Sequence, residues 1–161
     1  MISKSDVIIK YNKDFLKEIL NIYEKELNNR NFDAIYRHIE RLPYEPCKDK
    51  DRPASFTALL LKNGINPLDY MNYVPQYFAY DLYIESFEIP KNIQEIGVCA
   101  FGYCGNLKIY IPNSVIHIGE AAFLNCHDLT VYYEGSEEDW ENIEIDFNND
   151  TLLNATIHYN S

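Results

Sequence analysis

Ser86 to Leu107 reads SFEIPKNIQEIGVCAFGYCGNL, and the next 22 residues, Lys108 to Leu129, read KIYIPNSVIHIGEAAFLNCHDL. Ile89 and Pro90 match Ile111 and Pro112, and Ile96 and Gly97 match Ile118 and Gly119. Ala100, Phe101, Cys104 and Leu107 match Ala122, Phe123, Cys126 and Leu129. A fixed period of this length marks a stacked repeat, in which each unit buries its apolar face only against a neighbour. Such a stack offers a long regular surface for recognition.

Within the unit, Leu107, Ile109 and Ile111 alternate with Lys108 and Tyr110, the period of a half-buried strand. Leu129, Val131 and Tyr133 do the same against Thr130 and Tyr132, and Ile157 and Tyr159 propose one more strand beside Thr156 and His158. Pro90 and Pro112 lack a backbone donor, so each should end its strand. Gly97 and Gly119 are expected where the backbone reverses through positive φ. The Ala-Phe pair is expected to point inward, Ala allowing close approach and Phe filling the coil.

Written as a pattern, the unit is IP-x-x-[IV]-x-x-IG-x-x-AF-x-x-C-x-x-L. It resembles the bacterial leucine-rich repeat of the surface-antigen type, called BspA-like, from Ser86 to about Tyr159. The stretch Tyr133 to Asn160, with its single tryptophan Trp140, is similar to the closing segment of such arrays, which implies that Trp140 plugs the end of the core. Many members are secreted adhesins with long arrays, so the resemblance raises an adhesin reading; two full copies and part of a third speak against it.

The expected fold is α+β: an N-terminal helical cap over residues 1–85, packed on a short leucine-rich-repeat solenoid over residues 86–161. In the first part, Phe15, Leu16, Ile19, Leu20, Ile22, Tyr23 and Leu27 have helical spacing, with Asn12 as the expected N-cap. Phe32, Ile35, Tyr36, Ile39 and Leu42 propose a second helix, and Ala54 to Lys62 a third, closed by Asn63-Gly64. Pro43 to Pro53 (PYEPCKDKDRP) reads as an exposed loop. Pro67 to Tyr73 suggests a fourth, short helix. Tyr70, Tyr73, Tyr77, Tyr80 and Tyr83 recur at three- or four-residue steps and read as a face packing onto the first repeat.

The chain has 161 residues and a net charge of −11. From Met1 to Glu85 there are 12 basic and 13 acidic residues; from Ser86 to Ser161 there are 2 basic residues, Lys91 and Lys108, and 12 acidic ones. Glu134, Glu137, Glu138, Asp139, Glu141, Glu144, Asp146 and Asp150 follow one another without a Lys or Arg between them. A field of this sign repels nucleic acid and lipid headgroups and attracts basic protein surfaces. No apolar run approaches the roughly 20 residues that span a bilayer. The opening MISKSDVIIKYNK has no signal-peptide apolar core, so the expected location is cytoplasmic.

Of the four cysteines, Cys47, Cys99, Cys104 and Cys126, the last two share a repeat position and should be buried thiols one coil apart. Their spacings do not fit a zinc site, and neither metal nor cofactor is expected. His38, His117, His127 and His158 are scattered, and neither G-x-S-x-G nor a phosphate-binding glycine pattern occurs. The expectation is therefore a non-enzymatic protein-binding module for a basic protein partner. The acids above are its candidate contacts, together with the outward strand positions Glu88, Lys108, Tyr110, Thr130, Tyr132, Thr156 and His158. Tyr110 and Tyr132 should stand side by side. A sharper alternative is a phage-type inhibitor, anti-CRISPR-like, that occupies the basic groove of a nucleic-acid-binding enzyme.

Overall fold

The computed structural model describes residues 13–42 and 51–161. Helices α1 (Lys13–Ile22), α2 (Glu24–Asn28), α3 (Phe32–Arg41) and α4 (Asp51–Lys62) come first, followed by a 3-10 turn at Pro67–Tyr70. Eight short strands follow: β1 (Tyr73–Val74), β2 (Ser86–Glu88), β3 (Glu95–Ile96), β4 (Lys108–Ile111), β5 (His117–Ile118), β6 (Thr130–Tyr133), β7 (Glu144–Ile145) and β8 (Thr156–His158). Two short helices, α5 (Glu137–Glu141) and α6 (Asp150–Leu153), flank β7. None of the described helices is long and apolar enough to cross a membrane.

The helices form where their apolar residues fall on one face. Phe32, Ile35, Tyr36 and Ile39 bury the inner side of α3, and the Asn31 side chain accepts from the Ala34 N–H to cap it. The first expected helix is broken at Tyr23, whose φ of −112° leaves the helical region. The third begins three residues before Ala54 and runs through Pro53, which a first turn tolerates because its N–H would have no partner there. Helix α4 is buried nearly all round, and its Thr57 hydroxyl donates to the Pro53 carbonyl while accepting from the Tyr36 hydroxyl at 2.6 Å. The Asn12 cap and the loop segment 43–50 lie outside the described residues.

All strand pairs are parallel, and alternate strands build two four-stranded sheets, β1-β3-β5-β7 and β2-β4-β6-β8. In the first sheet Tyr73, Glu95 and His117 are in register, and in the second Ser86, Lys108 and Thr130, each 22 residues from the next. The last step is longer: His117 pairs with Glu144 and Thr130 with Thr156, because α5 intervenes. The alternation read from the sequence holds: Ile109, Ile111, Val131 and Tyr133 point inward and are buried. Phe101 and Phe123 stack at the centre of successive coils, ring centroids 5.5 Å apart and 10° from parallel.

The repeat glycines serve a different purpose from the one expected. Neither Gly97 nor Gly119 has positive φ. A Cβ on Gly97 would sit 2.6 Å from the Val74 carbonyl oxygen, and one on Gly119 would sit 3.0 Å from the Ile96 oxygen. These glycines let one coil lie against the last.

Positive φ falls instead on Tyr77, Cys99 and Ala121 and on Asp81, Tyr103 and Asn125, two sets that repeat with the coil. Left-handed backbone costs a non-glycine residue roughly 1–2 kcal/mol. Five of the six offset that cost by donating their N–H to the following coil. Tyr77 donates to Val98 at 2.9 Å, Cys99 to Glu120 at 3.1 Å, Ala121 to Phe147 at 2.9 Å, Asp81 to Gly102 at 2.8 Å and Tyr103 to Leu124 at 2.7 Å.

The tyrosine-rich segment is the first of these coils rather than a helix. Ala79 donates to the Ala100 carbonyl and Phe101 to the Ala122 carbonyl, so Phe78-Ala79 stands where later coils have Ala-Phe. Phe78 packs on Phe87 and Phe101, and Tyr36 of α3 packs on Phe78, so one apolar cluster runs from the helices into the repeats.

At the other end, Trp140 is buried against the Tyr133 ring, 5.1 Å between centroids. The irregular last unit offers Phe123 a side chain in place of a backbone carbonyl, and its N–H donates to the side-chain oxygen of Asn149 at 3.3 Å. Asn149 is 1% exposed, and its amide nitrogen donates to the carbonyls of Gly119 and Asp146.

Phe101→Ala and Phe123→Ala are each expected to lower unfolding free energy by about 3–5 kcal/mol in urea titrations. Gly97→Ala should cost about 1–3 kcal/mol through overpacking, whereas Gly105→Ala, whose Cβ would meet nothing within 4 Å, should be close to neutral. Asn149→Leu is expected to cost at least about 2 kcal/mol by orphaning buried groups at the end of the ladder. A loss under about 0.5 kcal/mol would show that the side chain is not needed there.

Candidate interaction surface

The register of the second sheet sets Glu88, Tyr110, Tyr132 and His158 in one row across β2, β4, β6 and β8. Tyr110 and Tyr132 stack with centroids 4.6 Å apart and planes 12° apart; Tyr132 and His158 stack at 4.8 Å and 14°. The stacking follows from the parallel strand spacing of about 4.8 Å, which is close to the contact distance of two aromatic faces. A second outward row holds Ser86, Lys108, Thr130 and Thr156.

Beside the aromatic row lies a hollow of about 320 Å³, lined among others by Glu88, Lys91, Tyr110, Tyr132 and Glu134. Lys91 Nζ meets Glu134 Oε1 at 2.7 Å across its mouth, and the Asn113 N–H donates to Glu134 Oε2 at 3.1 Å. The Lys91 hydrogen bond, helped by the Asn113 N–H, holds the Glu134 carboxyl below its ordinary value. A second hollow, of about 550 Å³, lies between α3 and β1, where the Tyr73 hydroxyl donates to Asp33 and Arg37 meets the same carboxylate at 2.9 Å.

The eight acids from Glu134 to Asp150 divide among four places. Glu134 borders the aromatic row. Glu137, Glu138, Asp139 and Glu141 lie on α5 and are exposed, and Asp150 opens α6. Asp139 also holds the helix start: its carboxylate accepts from the Ser136 N–H at 2.9 Å while the Ser136 hydroxyl accepts from the Asp139 N–H, a closed capping box. These Ser136 hydrogen bonds hold the Asp139 carboxyl low. Glu144 lies on β7 of the first sheet and Asp146 just after it, and both stand beside His117, whose Nε2 lies 2.9 Å from Asp146 Oδ2. Among the described residues, these three form a group able to share a cation, with ligand atoms all within 4.8 Å of one another. Sequence reading missed them because His117 is 27 positions from Glu144 in the one step that breaks the 22-residue period.

Cys104 and Cys126 are fully buried, one coil apart, and each thiol donates to a carbonyl of the preceding coil: Cys104 to Ala79 at 3.1 Å and Cys126 to Phe101 at 2.8 Å. The repeat thus uses cysteine as a small apolar filler with one weak donor. Burial pushes the Cys126 thiol up to about 11. Cys47 lies outside the described residues.

Two parallel sheets built from a recurring coil, with an outward aromatic row, define a parallel-strand repeat protein. The chain belongs to the BspA-type leucine-rich repeat family, whose six-copy repeat region matches residues 72–155. That match starts at the strand before Phe78, in agreement with the first parallel pairing of Tyr73 with Glu95. No curated protein and no solved structure matches the chain.

Native protein at pH 8 should react with a small alkylating agent far more slowly at Cys104 and Cys126 than the urea-unfolded chain does, because the thiolate is the nucleophile. Peptide mapping after timed alkylation measures this. Rapid native labelling of either thiol would mean that the coils open on that timescale.

Proposed function

We propose that this chain is a non-enzymatic binding module whose second-sheet face and acidic C-terminal surface engage a basic surface on a protein partner. Family membership supports the coarse part of this reading, since leucine-rich repeats of this type are typically non-enzymatic and protein-binding. The observation that carries the finer part is the pre-stacked row Tyr110, Tyr132 and His158 with Glu88 at its end. Rings already held by one another lose little conformational freedom on binding, and tyrosine is enriched where interfaces concentrate their energy. The C-terminal charge excess would add attraction and speed association with a basic partner.

The inhibitor reading is a special case in which the basic partner surface normally holds DNA or RNA. The imbalance of 12 acids to 2 bases after residue 85 supports it. It differs from the general reading in one measurable respect, competition with nucleic acid.

Affinity capture from the source host with the intact chain, quantified by mass spectrometry, tests both. The charge variant is Glu137→Gln, Glu138→Gln, Glu141→Gln and Asp150→Asn, which spares the capping Asp139 and the Lys91-paired Glu134. The face variant is Tyr110→Ala with Tyr132→Ala. A true partner should be lost, by tenfold or more, from the face variant, weakened by the charge variant, and released as salt rises past about 0.15 M, where the screening length falls below ~8 Å. Capture unchanged in both folded variants would overturn the proposal. Competition by added DNA or RNA would select the inhibitor form.

A further inference from the structure

We propose that His117, Glu144 and Asp146 form a binding site for a divalent transition-metal ion, with Zn²⁺ as the expected occupant. The site lies on the first sheet, apart from the aromatic row, and does not depend on the proposed partner.

Three features of the geometry converge. First, β5 and β7 put His117 directly opposite Glu144, and Asp146 follows on the same strand path two residues later, hence on the same face. Second, His117 Nε2 and Asp146 Oδ2 are already 2.9 Å apart. Two ligands each about 2.0–2.2 Å from one tetrahedral zinc ion lie roughly 3.4 Å apart, so these atoms need to part by only about half an ångström to admit the ion. The widest allowed separation in the group, 4.8 Å, would have to close by no more than ~2 Å, within reach of a glutamate side-chain rotation at an exposed position.

Third, the backbone that carries two of the ligands is fixed from beneath. The buried Asn149 amide donates to the Gly119 carbonyl at 2.9 Å and to the Asp146 carbonyl at 3.0 Å, and the Asp146 N–H donates to the Ile118 carbonyl at 2.9 Å. These bonds tie the His117 strand to the Asp146 segment whether or not an ion is bound, so little ordering remains to oppose binding.

The donor chemistry narrows the ion. One imidazole nitrogen with two carboxylates is an N/O set; imidazole favours zinc and its neighbours over calcium and magnesium, which prefer all-oxygen shells. Three protein ligands leave a fourth position open. Among the described residues, no Lys or Arg pairs with Glu144 or Asp146. Glu95, the partner of His117 on its other side, adds negative charge that would raise the local cation concentration.

Isothermal titration of the full chain with zinc chloride, beside magnesium and calcium chloride, is the test. The expected result is one zinc per chain at micromolar affinity and at least tenfold weaker binding of magnesium and calcium. His117→Asn and Glu144→Gln should each weaken zinc at least tenfold while leaving the metal-free melting temperature within a few degrees of wild type. If His117→Asn does not fold, Glu144→Gln with Asp146→Asn decides the question on the exposed edge. Cobalt substitution gives an independent readout: an N/O site shows weak visible bands without thiolate charge transfer. Zinc binding weaker than about 1 mM, binding unchanged in the variants, or a thiolate band from the cysteines would each overturn the assignment.

Discussion

Every coil of this stack exchanges backbone hydrogen bonds with its neighbours, turn N–H groups reaching carbonyls of the following coil and glycine and strand N–H groups reaching back to the preceding one, and that ladder governs the rest of the molecule. It fixes the period, because Ala79, Phe101 and their neighbours reach their acceptors only if the next coil repeats the same path. It also accounts for left-handed backbone at bulky residues such as Tyr77 and Tyr103. Their local strain is held by bonds of 2.9 and 2.7 Å to the coil beyond. Close approach then demands glycine where the coils touch, and the Phe101–Phe123 stack fills the axis that this approach creates.

A ladder of this kind has two ends, and each needs a different remedy. At the first end the helices supply an apolar cover: Tyr36 packs on Phe78, and the Tyr73 hydroxyl is taken by Asp33 of α3. At the far end the problem is polar as well as apolar. Trp140 closes the apolar part against Tyr133, and the Asn149 side chain supplies the acceptor that a regular coil would have offered to Phe123. An open apolar core and an orphaned donor would otherwise remain.

How much of this was legible follows from length and regularity. The strands at Lys108–Ile111 and Thr130–Tyr133 were readable because four residues suffice to show alternation, and the inward Phe101 and Phe123 because they recur in identical surroundings. The two-residue strands β1, β3, β5 and β7 have no period to read. The first coil was hidden because Phe78-Ala79 reverses the order of Ala100-Phe101, and its tyrosine spacing imitates a helix. The Tyr110–Tyr132 pair was visible from spacing alone; the extension of that stack to His158 needed the register, since the last step is 26 residues rather than 22. Nothing in the pattern marks Asn149 as buried, because asparagine before a short helix is an ordinary cap.

The irregular last unit is also where the two faces acquire separate chemistry. In the regular coils an outward position can vary only within a row set by its neighbours, so Tyr110 begets a stack with Tyr132. Insertion of α5 keeps the parallel pairing on both sheets but changes the step by five residues on one and four on the other, from His117 to Glu144 and from Thr130 to Thr156. The second sheet thereby keeps its flat aromatic row and ends it with an imidazole. The first receives a carboxylate opposite an imidazole and a second carboxylate two residues on. Backbone hydrogen bonding is preserved in both, which is why the end of a repeat stack is where new side-chain groupings can arise without loss of the fold.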